Sequence, residues 1–91
     1  MIIADDGETV EFKTVSPFFE RERDGRKNNT VRLFRNPYEQ DLFVSALFSL
    51  NMIRIRNPET RDSFERVISD ITAFTYPTVA TVYIITWQAR D

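Results

Sequence analysis

Between residues 10 and 34 the chain alternates like a strand, breaks at Ser16-Pro17, turns polar, stops at Gly25 and alternates again. Val10, Phe12 and Thr14 alternate with Glu11, Lys13 and Val15, the period of a half-buried strand. Ser16 suits a helix N-cap and Pro17 the first helical position, where its missing N–H costs nothing. Phe18 and Phe19 are expected to anchor a short helix over residues 17–24, leaving Glu20 to Asp24 in water. Gly25 is its stop, because glycine tolerates the left-handed conformation. After a turn at Asn28-Asn29, residues 30–34 form a second strand, with Val31 and Leu33 on one face and Thr30, Arg32 and Phe34 on the other.

The rest of the chain reads as support for this unit. Residues 1–8 make a flexible lead-in or a short edge strand. Asn36-Pro37 with Glu39 opens a second helix through a capping box. Leu42, Phe43, Ala46, Leu47 and Leu50, widened by Val44 and Phe48, predict a helix over residues 37–50 buried on much of its circumference. A third strand is expected over 52–56, then a turn cluster over 57–62. A long strand follows over 64–74, with a bulge where the apolar phase slips between Val67 and Ile68. Tyr76-Pro77-Thr78 breaks it, and Thr81 to Trp87 is the most β-prone run, read as a central strand before a tail over 88–91.

The fold class is therefore α+β: a single domain over 1–91 with five mainly antiparallel strands and two helices. A small closed barrel is expected, because closure removes exposed strand edges.

Composition narrows the chemistry. With 91 residues, no histidine and no cysteine, the chain lacks the side chains for histidine-dependent nucleophile systems, thiolate or histidine zinc centres, and disulfides. Two glycines cannot build a phosphate-cradling loop. No apolar run approaches the roughly 20 residues of a membrane span. Asp5 and Asp6 interrupt the apolar start too early for a secretory signal. The expectation is a cytoplasmic protein without metal, cofactor or membrane partner.

The net charge is −2, yet between residues 20 and 35 six cations (Arg21, Arg23, Arg26, Lys27, Arg32, Arg35) face three acids (Glu20, Glu22, Asp24). Arginine forks match phosphates and base edges. Arg26, Lys27, Thr30 and Arg32 are thus the candidate ligand-binding residues, with Phe18, Phe19, Tyr38 and Trp87 as candidate stacking aromatics. The competing expectation ties Lys27 and Arg32 to Glu20, Glu22 or Asp24 in a salt-bridged surface.

The segment SPFFERERDGRKNNTVR resembles the signature of ASCH domains, small β-barrels of the PUA-like superfamily. Gly25, Lys27, Thr30 and Arg32 match its Gly-x-Lys, Thr and Arg at the same spacing. The runs MIRIRNPETRDSFERVISDITAF and VYIITW are similar to the family's barrel strands, and the helix over 37–50 stands where the family often has a loop. The resemblance implies an RNA- or nucleotide-binding module using a cleft beside the first helix. A branch of N4-acetylcytidine amidohydrolases is similar at the same motif, which would make Lys27 and Thr30 catalytic, Lys27 as base. That branch's catalytic Glu has no counterpart, leaving Glu39 and Glu65 as substitutes. A small protein-interaction or inhibitor domain, acting through the second helix or the arginine-rich face, is the remaining alternative.

Overall fold

A computed structural model describes residues 1–76 and 80–89. Its strands are β1 (Ile2–Ile3), β2 (Thr9–Lys13), β3 (Asn29–Leu33), β4 (Met52–Arg56), β5 (Ser63–Tyr76) and β6 (Ala80–Trp87). Its helices are α1 (Phe18–Arg23) and α2 (Pro37–Ala46), the latter continued by a 3₁₀ turn at Leu47–Ser49. Pro77 and Thr78 of the expected strand break, and Arg90 and Asp91 of the expected tail, lie outside the described residues.

The strands form a six-stranded mixed sheet in the order β1-β2-β4-β5-β6-β3. β2 and β4 are parallel, which the long crossover carrying α1, β3 and α2 permits, and the other neighbours are antiparallel. β5 serves both halves of the sheet, pairing β4 through Val67 and β6 from Ile68 onward. Its register slips between Ile68 and Asp70, one residue later than the apolar phase suggests. Such a bulge bends a strand and sharpens its twist.

The bent sheet curls β3 back toward β2 without closing. Among the described residues no backbone ladder joins those two strands, so the expected five-stranded barrel is an open six-stranded sheet. The reason lies in β1. Ile2 and Ile3 pair with Glu11 and Val10, occupying the edge of β2 that closure would need. A side chain spans the remaining gap: Arg32 on β3 donates from Nη1 to the Lys13 carbonyl at 3.0 Å and from Nη2 to Thr14 Oγ1 at 2.6 Å.

The core takes one face from β2, β4, β5 and β6. Val10, Phe12, Ile53, Ile55, Phe64, Tyr83, Ile85 and Trp87 point inward at the period of two. Phe12, Phe34, Phe43 and Tyr83 form one aromatic cluster, with ring centroids 5.0–6.2 Å apart. Phe19, Phe64 and Trp87 form another. The second cluster pins α1 to the sheet through Phe19, whereas Phe18, expected to share that task, is half exposed.

α2 is less buried than its composition suggests. Asn36 caps it as expected, its side chain accepting from Tyr38 N. The Glu39 carboxylate lies 3.5 Å from the α-amino group of Met1. Phe43 is fully buried, but Leu42 and Val44 are exposed and Phe48 is wholly in solvent. The helix therefore rests on one narrow stripe, not most of its circumference.

Candidate functional site

Glu22 sits under α1 because it lies three residues after Phe19, and side chains at that spacing share a helix face. Phe19 is the helix's anchor, so Glu22 is carried inward with it and is 1% exposed. The expectation that residues 20–24 remain in water fails at this position. Burial pushes the Glu22 carboxyl above its ordinary range, and the nearby cations of Lys27 and Arg32 act against that rise.

Gly25 ends the helix with φ +86°, the left-handed value a glycine stop requires. The chain then folds back so that Lys27 N–H bonds the Arg21 carbonyl at 3.1 Å. This return sets the Lys27 ammonium 3.6 Å from Glu22 Oε2. The start of α1 is held from the opposite side by Asn57, which is fully buried and donates from Nδ2 to Ser16 Oγ at 3.0 Å. Ser16 gives no cap bond to the helix backbone; its hydroxyl donates to the Glu20 carboxylate.

β3 supplies the facing wall. Thr30, Arg32 and Phe34 point inward as the alternation predicts, while Val31 and Leu33 are exposed. Arg32 Nε donates to Thr30 Oγ1 at 3.0 Å, and its guanidinium stacks 4.8 Å from the centroid of Phe12. Thr30 and Arg32 are thereby fixed as a unit. Burial draws the Arg32 guanidinium below its ordinary value, with Glu22 opposing the change.

These groups surround an open hollow of about 290 Å³, lined by Lys13, Thr14, Val15, Phe18, Glu22, Lys27, Thr30, Val31 and Arg32. Three of the four sequence-predicted binding residues, Lys27, Thr30 and Arg32, therefore meet at one place. Arg26 does not line it; that side chain is exposed and lies 3.4 Å from Asp24. Of the candidate stacking aromatics, Phe18 reaches the hollow, Phe19 and Trp87 are core, and Tyr38 is exposed on α2.

The proposed substitute carboxylates lie elsewhere. Glu65 bonds Arg54 at 3.0 Å in an ion-pair group with Glu11 and Arg56, and Glu39 lines a neighbouring hollow. The carboxylate in the site is Glu22, which sequence reasoning placed only as a surface partner for Lys27. Lys13 was also missed, although its outward phase after Phe12 marks it as exposed at the strand end. Among the described residues, no group of three or more acidic side chains could hold a metal ion, and no helix is long and apolar enough to cross a membrane.

Comparison with known proteins returns nothing: no family model, no curated protein and no solved structure matches this chain.

Proposed function

We propose that the chain is an RNA- or nucleotide-binding module of the PUA-like type, holding its ligand in the hollow between α1 and β3. The observation that carries this reading is the lining itself. Lys13, Lys27 and Arg32 bring three cations to one open hollow, with the exposed ring of Phe18 on its wall. Cations track a phosphate backbone, and an exposed aromatic gives a base a stacking surface. The ASCH resemblance implies a closed barrel, which the open sheet is not, so it supports this reading only through the motif residues Lys27, Thr30 and Arg32 that line the hollow.

Fluorescence anisotropy with a short single-stranded RNA tests the reading. Affinity is expected to fall steeply with added salt, and Lys27→Ala to weaken binding and flatten the salt slope by about one ion. Salt-independent affinity, or none, overturns it.

The buried Glu22 favours one second reading, an amidohydrolase acting on an N4-acylated cytidine. A carboxyl raised by burial is a competent general base. Glu22 would take a proton from water as its oxygen bonds to the acyl carbon. The C–N bond then breaks and the amine nitrogen leaves with that proton. Lys27 and Thr30 would hold the carbonyl. In this scheme Glu22 takes the base role first assigned to Lys27. Incubation with N4-acetylcytidine and chromatography for cytidine decides the matter. Release that survives Glu22→Gln and Lys27→Ala, or no release, removes this second reading.

A further inference from the structure

The hollow described above is one of two that meet end to end. The second, of about 250 Å³, is lined by Met1, Phe12, Lys13, Arg32, Leu33, Phe34 and Glu39. Lys13 and Arg32 belong to both. Along β3 the first hollow takes Thr30 and Val31 and the second takes Leu33; along β2 the order is reversed. The two strands therefore run in opposite directions beside one continuous furrow, and the Arg32 bridge to Lys13 marks its midpoint.

On the β3 side of the furrow the backbone is free to face an occupant. Trp87 N–H bonds the Asn28 carbonyl, and in an antiparallel ladder the residues that face the neighbouring strand alternate from such a pair. Thr30 and Arg32 thus direct their backbone groups to β6, and Val31 and Leu33 direct theirs outward. On the other side, the Lys13 carbonyl faces the furrow, because it accepts from Arg32.

We infer that the furrow takes two successive nucleotides of an extended single strand, one in each hollow, with the phosphate between them held at Lys13 and Arg32. The inference rests on the nucleotide reading above and specifies its ligand. Each hollow lies below the roughly 300 Å³ at which small-molecule sites begin, so neither holds more than one nucleotide. The shared cations stand where a single phosphodiester would join the two occupants. A peptide strand is the less suited occupant, because the Arg32 side chain crosses the path that its backbone ladder would need.

The test compares adenosine 5′-monophosphate with the dinucleoside monophosphate ApA by calorimetry. ApA carries less phosphate charge, so a tighter fit must come from the second nucleoside. ApA is expected to bind about tenfold tighter, since the second nucleoside docks at high effective concentration. Leu33→Glu, which places a negative charge in the second hollow, is expected to bring ApA down to the monophosphate value. Glu39→Gln is expected to raise ApA affinity, a gain that a folding defect cannot mimic. Equal affinity for both probes, or an ApA advantage that survives Leu33→Glu, overturns the two-nucleotide furrow while leaving the single-site reading intact. No binding of either probe overturns that reading as well.

Discussion

The Lys27 ammonium lies 3.6 Å from the buried carboxylate of Glu22, five residues back across the glycine stop. This pair joins the floor of the hollow to its rim, so the position of the cation depends on a carboxylate almost wholly buried at the base of the hollow. Removing either partner exposes what the other was compensating.

Glu22→Gln separates the two protonation states of the site. Burial raises the folded-state value of Glu22, so its favourable contribution is complete below the unfolded value near 4.5 and is lost as pH rises through the raised value. Glu20, held low by the Ser16 hydroxyl, and Asp24, held low by Arg23, act in the opposite sense and lose stability on acidification. The Gln variant should match the parent near pH 4 and melt about 2–5 °C higher at pH 7. Thermal melts across that interval check it, and a constant offset contradicts it.

Lys27→Met leaves the Glu22 carboxylate without its nearest countercharge. Because Lys27 is itself partly in solvent, the loss at pH 7 should be modest, about 0.5–1 kcal/mol. It should shrink toward pH 4, where the carboxyl takes up a proton. Urea unfolding at the two pH values measures the difference.

Arg32→Ala removes three hydrogen bonds, the stack on Phe12 and the only side-chain bridge found between β3 and β2 among the described residues. A loss of about 2–3 kcal/mol is expected, since bonds made by a charged group are strong and Thr14 and Lys13 lose a donor. Arg32→Lys should recover little of it, because an ammonium cannot reproduce the fork. Amide exchange at Thr30, whose backbone groups face β6, should accelerate in both variants.

Gly25→Ala tests the helix stop. A Cβ there would meet nothing nearer than Asn28 Oδ1 at 4.0 Å, so crowding plays no part and only the left-handed backbone is penalised. The expected cost is about 1 kcal/mol, with Gly25→Asn less affected. An unchanged unfolding midpoint would show that the stop relaxes.

Phe43 on α2 and Phe48 on the 3₁₀ turn that continues it separate core from surface. Phe43→Ala should cost about 3–5 kcal/mol, for its ring lies against Phe12, Phe34 and Tyr83. Phe48→Ser should fall within about 0.5 kcal/mol of the parent.

Local signals carried most of the elements. The Asn36 cap, the Gly25 stop, the alternation in β3 and the β-prone run of β6 are properties of neighbouring residues, and each appears in place. Closure was misjudged because it depends on which edge of β2 the two residues of β1 occupy, a relation across the sheet that periodicity does not contain. Lys27, Thr30 and Arg32 were legible because one turn and one strand face bring them together. Glu22 was legible in principle through its spacing from Phe19, but its charge argued for water, and only the packing of Phe19 on Phe64 reverses that. The breadth of the α2 stripe misled for the complementary reason: apolar side chains need a surface to cover, and the sheet offers α2 only a narrow one.

The bridge between β3 and β2 makes strand spacing and occupancy two sides of one equilibrium. A guest that recruits the guanidinium of Arg32 must compete with the Lys13 carbonyl, so its capture would unfasten the sheet at that point. A guest that leaves the bridge in place would tighten it instead. For a guest that must part the strands, a substitution that makes parting easier raises affinity by at most the same factor, even from the far side of the molecule.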